Sequence, residues 1–323
     1  MENSIKNIID SSDLIYIASH LNPDGDNLGS LAAMYLALKN YGKNVYMIEN
    51  DEIPVAQRFL PGLNEAVKSS ELKGKPDLFI TLDCADLERI GEDAIKLFLS
   101  AEKTINIDHH KTNTNFADIN IVDFNAPATG EILYKVLKDS DIELNREIAT
   151  CIYEAISSDT GSFKYDSVRK STFIAASELL DYDIDINEIA INLYQNRSIE
   201  KTNLLIHAMN SLEFYADNKI AFVTLSDDDI RNFNASKSDA DGIVEFIRDI
   251  STVEIAIFLK DKKDSVKLSL RSKTKVDATK IASYFGGGGH IRAAGATINL
   301  PFTEAKKKVI ELAEMELNIW KVC

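Results

Sequence analysis

Between His20 and Asp26 the sequence Ser19-His20-Leu21-Asn22-Pro23-Asp24-Gly25-Asp26 places one imidazole and two carboxylates within a single turn of chain. Pro23 and Gly25 form a turn that can aim both carboxylates at a common point, which is the chemistry of a divalent-cation site. Taken alone, the segment reads better as an Asx-rich turn capping the next helix. Three later segments repeat its residue types: Asp83 in Leu82-Asp83-Cys84-Ala85-Asp86, Asp108-His109-His110, and Asp159 in Ser158-Asp159-Thr160-Gly161. One strand-end Asp is usually a helix cap and one His a surface residue. Four such clusters at the same end of successive elements are better explained by one shared site.

Imidazole and carboxylate without thiolate favour Mn²⁺, with Mg²⁺, Fe²⁺ and Zn²⁺ as further options. His20, Asp24, Asp26, Asp83, His109 and Asp159 are too many ligands for one catalytic ion that must keep an open position. Two ions sharing a bridging carboxylate would use them all. Pairs of this kind, roughly 3.5–4 Å apart, hold a hydroxide and a phosphoryl oxygen for in-line displacement. A second cluster lies far along the chain, at Phe285-Gly286-Gly287-Gly288-Gly289-His290-Ile291-Arg292. One glycine would suffice to end the preceding helix. Four in a row leave N–H groups that can approach an anion closely, as in a nest. Arg271, Lys273 and Lys275 precede it, and residues 260–292 carry nine Lys or Arg against three Asp or Glu, a local charge of +6. Phe163, Tyr165, Tyr284 and Phe285 lie near these segments and are candidates to stack a base.

The elements that must position these groups follow from periodicity. Apolar runs at Leu14 to Ala18, Asn44 to Ile48, Leu78 to Leu82, Thr104 to Ile107 and Ile119 to Val122 alternate with amphipathic stretches. This pattern predicts an α/β domain, a mostly parallel sheet flanked by helices. Helical stripes follow at Ile132, Leu133, Val136, Leu137 and at Ile148, Ile152, Ala155, Ile156. After a helix-like stretch the text turns β-rich at Ile220 to Leu225, Val253 to Leu259, Val266 to Leu270 and Ala296 to Leu300. A final helix runs from about Thr303 to Trp320. The expected organisation is a catalytic domain over 1–183, a helical linker over 184–212 and a smaller α+β domain over 213–323.

With 323 residues, 45% hydrophobic and 27% charged, the composition fits an ordinary globular chain of about two domains and excludes disorder and collagen. The net charge of −15 repels a long polyanion, so a duplex-coating protein is excluded, while a small anion held by metals and a few cations is not. The cysteines, Cys84, Cys151 and Cys323, include no C-x-x-C pair. No secretory leader and no membrane-spanning run is evident, so the expected compartment is the reducing cytosol.

The motifs resemble those of the DHH phosphoesterases, whose name is spelled here by Asp108-His109-His110. His20, Asp24, Asp26, Asp83, Asp108-His109-His110 and Asp159 occur in the family's order, and Phe285 to Gly295 resembles the signature of the DHHA1 substrate-binding domain. The resemblance implies that His20, Asp24 and Asp83 hold a first metal and Asp26, Asp83, His109 and Asp159 a second. Asp83 would then bridge. It also implies that His110 faces the substrate phosphate, either polarising a non-bridging oxygen or protonating the leaving oxygen, while Asp108 orients a histidine. Arg271, Gly287, Gly288, Gly289, His290 and Arg292 would bind substrate, and a homodimer is among the expected assemblies. The activity implied is manganese-dependent hydrolysis of very short RNA or linear dinucleotides, with removal of the 3′-phosphate of adenosine 3′,5′-bisphosphate. Cyclic di-AMP hydrolysis is the alternative; pyrophosphate or polyphosphate hydrolysis and non-catalytic nucleotide sensing rank lower.

Overall fold

The computed structural model describes residues 2–49 and 51–319, in two compact units, Met1–Asn196 and Arg197–Cys323. The first contains β1 (Leu14–Ser19), β2 (Asn44–Glu49), β3 (Val67–Lys68), β4 (Leu78–Leu82), β5 (Lys103–Asp108) and β6 (Ile119–Val122). Its helices are α1 (Glu2–Ser11), α2 (Gly25–Asn40), α3 (Glu92–Ser100), α4 (Thr129–Asp139), α5 (Arg146–Asp159), α6 (Lys170–Leu180) and α7 (Ile186–Ala190). All the strands pair in parallel, in the order β3-β2-β1-β4-β5-β6.

Strand alternation builds two cores on this sheet. Ile15, Ile17, Leu78, Ile80, Leu82, Ile105 and Ile107 face a layer that includes Leu31 and Met34 of α2 and Ile148 and Ile152 of α5. Tyr16, Ala18 and Phe79 point the other way, to Ala94 and Phe98 of α3. Covered on both faces, β4 is buried along its whole length, which is why Leu-Phe-Ile-Thr-Leu reads as a continuous apolar run. The strand order reverses between β1 and β4, so the crevice beyond their carboxyl ends is the natural ligand position of a doubly wound sheet.

The second unit is α+β. It holds β7 (Glu213–Tyr215), β8 (Ile220–Ser226), β9 (Ile255–Lys262), β10 (Ser265–Ser272), β11 (Gly288–His290) and β12 (Ala293–Ile298), ordered β11-β12-β10-β9-β8-β7. Only β8 and β9 pair in parallel. One face packs on α11 (Ala278–Ser283) and α12 (Phe302–Ile319). The other packs on α8 (Ile199–Met209), α9 (Asp227–Asn232) and α10 (Ile243–Arg248).

Several elements depart from the periodicity reading. β3, β7 and β11, of two or three residues, are too short to show alternation. β12 begins at Ala293, earlier than the expected Ala296, because small Ala-Ala-Gly residues extend it without an apolar signal. The stretch 184–212 is divided: Ile184 and Ile189 join the first core, whereas Leu204 and Ala208 of α8 join the second. Trp320 and Cys323 lie outside the described residues.

Candidate metal centre

Every candidate metal ligand sits where an element of the first unit begins or ends. His20 follows β1, Asp24 is the N-cap of α2, Asp26 lies in its first turn, Asp83 follows β4, His109 and His110 follow β5, and Asp159 ends α5. Asp24 Oδ1 accepts the N–H of Asn27 at 3.1 Å, a capping bond that leaves Oδ2 directed toward His20 Nε2, 3.9 Å away. Asp83 turns out of the sheet with φ +59°, a left-handed conformation costing a non-glycine residue about 1 kcal/mol. Its N–H donates to Ile107 O at 2.9 Å, so β5 holds the turn in place.

Asp83 is the centre of the cluster. Its Oδ2 lies 3.3 Å from His20 Nε2 and its Oδ1 3.5 Å from His109 Nε2, so the two oxygens of one buried carboxylate face two different imidazoles. His109 Nε2 also lies 3.7 Å from Asp26 Oδ2 and 3.5 Å from Asp159 Oδ2. Ligand atoms of His20, Asp24 and Asp83 form one compact group, and those of Asp26, His109 and Asp159 another. The far nitrogens of both rings face carbonyls: His20 Nδ1 lies 2.8 Å from Leu21 O and His109 Nδ1 3.3 Å from Ala126 O. A carbonyl only accepts, so each Nδ1 carries a proton and each Nε2 is the atom turned to the carboxylates; at His20 burial opposes the charged ring, but the hydrogen bond to Asp83 and the charge of that carboxylate outweigh it and raise the pKa.

The electrostatics agree. Burial pushes the Asp24 and Asp26 carboxyls up, reinforced by the charge of Asp83, and burial raises Asp159 to about 7. Burial also acts on Asp83, but the hydrogen bond from His20 and the charges of His109 and His110 outweigh it and hold that carboxyl below the usual range. Carboxylates packed this closely in a buried site need added positive charge, and the oxygen and nitrogen donors fit hard or borderline divalent ions. The Cys84 thiol instead donates to Leu82 O at 3.3 Å.

His110 belongs to the cluster differently. Its Nδ1 lies 2.7 Å from Asp108 Oδ1 and 3.6 Å from Asp83 Oδ1. Asp108 Oδ2 in turn accepts from Asn113 Nδ2 at 2.6 Å. Burial lowers the His110 pKa, but the bond to Asp108 and the charges of Asp83 and Asp108 raise it to about 9. Its Nδ1 therefore donates to Asp108 and offers no lone pair to a metal.

Several supporting residues carry no sequence signal. Thr129 Oγ1 donates to Asp83 Oδ1 at 2.9 Å, while the N–H groups of Thr129 and Gly130 donate to Asp26 at 2.6 and 2.9 Å. These are unpaired donors of the first turn of α4, some hundred residues away from Asp26. Gly25 and Gly29 let α2 meet α5: a Cβ at Gly29 would lie 2.6 Å from Cys151 O and 2.9 Å from Ala155 Cβ. Between these helices Glu154 is fully buried, and burial pushes its carboxyl far up.

The expected substrate residues of the second unit fall on its sheet. A groove of about 450 Å³ is lined by Lys267, Ser269, Arg271, Gly288 and Gly295 among others. Arg271 Nε donates to Glu245 Oε1 at 2.8 Å, leaving its guanidinium anchored at the groove wall. The glycine run leads into β11 and packs closely on β12. Gly288, Gly289 and His290 pair with Gly295, Ala294 and Ala293 as an edge strand, and a Cβ at Gly287 would lie 2.1 Å from Gly295 O. Close packing on β12 thus explains Gly287 and Gly289. Arg292 is turned to the protein, donating to Val276 O at 3.0 Å and to Thr274 O.

Comparison with known proteins bears on this geometry. The profile described as DHH family, N-terminal domain, matches residues 14–156, and that of the DHHA1 domain matches residues 217–318. Over 305 residues the chain is 32% identical to the bifunctional oligoribonuclease and PAP phosphatase NrnA of Thermus thermophilus, covering 94% of this chain and 90% of that protein. The chain belongs to the DHH family. A second DHH relative, of the same name from Bacillus subtilis, is 29% identical over 304 residues, covering 92% of this chain and 93% of the other. Among solved structures, an exopolyphosphatase-related protein from Bacteroides fragilis superposes with a TM-score of 0.91 at 28% identity, over 99% of this chain and 97% of that one. As a DHH protein with a DHHA1 domain, the chain is an enzyme of the phosphoester hydrolase class. Among the described residues, no helix is long and apolar enough to cross a membrane.

Proposed function

We propose that this enzyme is a manganese-dependent phosphodiesterase that hydrolyses very short RNA to mononucleotides and also removes the 3′-phosphate of adenosine 3′,5′-bisphosphate, in the cytosol. The observation that carries the reading is the Asp83 carboxylate, whose two oxygens face His20 Nε2 and His109 Nε2 at 3.3 and 3.5 Å. Around it His20, Asp24 and Asp83 would hold one ion, and Asp26, His109 and Asp159 the other, with Asp83 reaching the second through the oxygen that faces His109. When bound, such a pair acidifies water and offsets charge on phosphoryl oxygens. Thr129 and Gly130 fix the orientation of Asp83 and Asp26. Asp108 fixes His110 through Nδ1, which orients the opposite ring edge for Nε2 to give a proton to the leaving oxygen. The names of the relatives from Thermus thermophilus and Bacillus subtilis support this choice of substrates.

The test is one Mn²⁺ assay comparing a 5′-phosphorylated RNA dinucleotide, adenosine 3′,5′-bisphosphate, cyclic di-AMP and pyrophosphate, with Asp83→Ala as control. Fast cleavage of the first two, abolished by chelation and by the substitution, is expected. A preference for cyclic di-AMP or for pyrophosphate would overturn the short-RNA reading.

A further inference from the structure

Of the four aromatic residues near the motifs, three are already engaged. Phe163 stacks on Phe173, with ring centroids 5.6 Å apart, and contacts Tyr153. Phe285 packs on the second core, and Tyr284 has Lys308 Nζ over its ring at 5.2 Å. Tyr165 differs: it is 46% exposed, and among the described residues neither a ring nor a cation covers it.

The backbone around Tyr165 is unusual. Directly after Asp159 and Thr160, three consecutive residues take left-handed angles, Gly161 at +55°, Ser162 at +60° and Phe163 at +62°. Left-handed residues ordinarily occur singly, and Phe is poorly suited to the conformation. The buried Thr160 holds the turn: its hydroxyl accepts the N–H of Phe163 at 3.0 Å, and its carbonyl accepts those of Lys164 and Tyr165 at 2.9 and 3.1 Å. Ser162 N–H adds a bond to Ser157 O at 2.7 Å.

The turn sets a ring beside Gly161. Tyr165 folds back over Gly161, where a Cβ would lie 2.4 Å from Cζ and 2.5 Å from Cε1, so a side chain there would displace the ring. Gly161 is two residues from Asp159, hence at most about 7 Å along the chain from a candidate metal ligand. A half-exposed aromatic face thus lies within one nucleotide's reach of the candidate phosphate site, and strain concentrated beside a reacting centre commonly serves positioning.

We propose that Tyr165 is a specificity-determining residue on which a nucleobase of the substrate stacks, an inference that rests on the oligonucleotide reading above. Stacking on an aromatic ring is tolerant of base identity and strengthens binding rather than chemistry. Tyr165→Phe therefore keeps parental kinetics. Tyr165→Leu, which still covers Gly161 but cannot stack, raises KM for the 5′-phosphorylated dinucleotide about tenfold while kcat stays within about twofold. On the corresponding ribose-phosphate dimer without bases, parent and Tyr165→Leu have equal KM. Mn²⁺ stoichiometry, equal in all forms, reports an intact fold. As an independent readout, indole emission of Tyr165→Trp, measured against the parent, is quenched by adenosine 5′-monophosphate and not by ribose 5-phosphate.

An active parent whose KM is unchanged in Tyr165→Leu, or raised equally for both dimers, would overturn the stacking role and leave the nuclease reading standing. Equal response of the Tyr165→Trp protein to both monophosphates would overturn it as well. A parent that binds Mn²⁺ but cleaves neither the dinucleotide nor the bisphosphate would overturn both readings.

Discussion

At the residue scale, histidine chemistry divides by which nitrogen faces what. His20 and His109 turn Nδ1 to a carbonyl and present Nε2 to carboxylates, whereas His110 turns Nδ1 to the Asp108 carboxylate. Asp83→Ala is accordingly expected to lose both ions and about three orders of magnitude in kcat/KM, measured by metal analysis beside turnover. His110→Ala should keep both ions while kcat falls roughly a hundredfold or more; equal metal loss in the two variants would reject the division of roles. The sequence showed which residue types recur and at which ends. It did not show Thr129 or the carbonyl of Ala126, because a backbone donor or acceptor is chemically the same at every position and only the fold selects it.

At the element scale, the ligands are brought together by helices that meet closely. α2 carries Asp26 and α5 ends in Asp159, and Gly29 lets the two backbones approach. Gly29→Ala should separate them, lowering stability by about 1–3 kcal/mol in denaturant titration and weakening Mn²⁺ binding in parallel. Unchanged metal affinity in a destabilised variant would show that the helix contact does not position the ligands. The second unit taught a different lesson about glycine. Four in succession read as an anion cradle; β12 also lies so close that Gly287 and Gly289 admit no side chain beside it, and a pairing partner is invisible in a local pattern. Arg292 likewise bonds to Val276 O and Thr274 O. Arg292→Ala is therefore expected to cost about 1–2 kcal/mol of stability, read as a lower denaturant midpoint, before any effect on substrate KM.

At the scale of the whole molecule, each unit has its own cores and its own acid-sensitive tie. Asp77, just before β4, accepts the N–H groups of Asp13 and Leu14 at 2.8 Å each, and these bonds lower its carboxyl. Glu254, just before β9, is pushed up by burial but lowered further by the N–H groups of Lys275 and Thr274. Both folded values lie below the unfolded ones, about 3.9 and 4.3. Their stabilisation is thus complete above those values and is lost as pH falls through the folded ones. Denaturation between pH 7 and 3 should show a loss beginning near pH 4, and Asp77→Asn should be weaker at pH 7 with a shallower acid decline; an unchanged pH profile would contradict it. The sheet-and-helix alternation and the α+β second half were legible because burial writes periodicity into long elements. The strand order that places β1 beside β4 was not, since pairing is a choice among strands of the same character. The central claim is that Asp83 bridges two divalent ions, and anomalous scattering at the manganese edge from crystals grown with Mn²⁺ tests it most directly. Two peaks roughly 3.5–4 Å apart, one against each Asp83 oxygen, are predicted; a single peak, or a pair away from Asp83, would contradict the account.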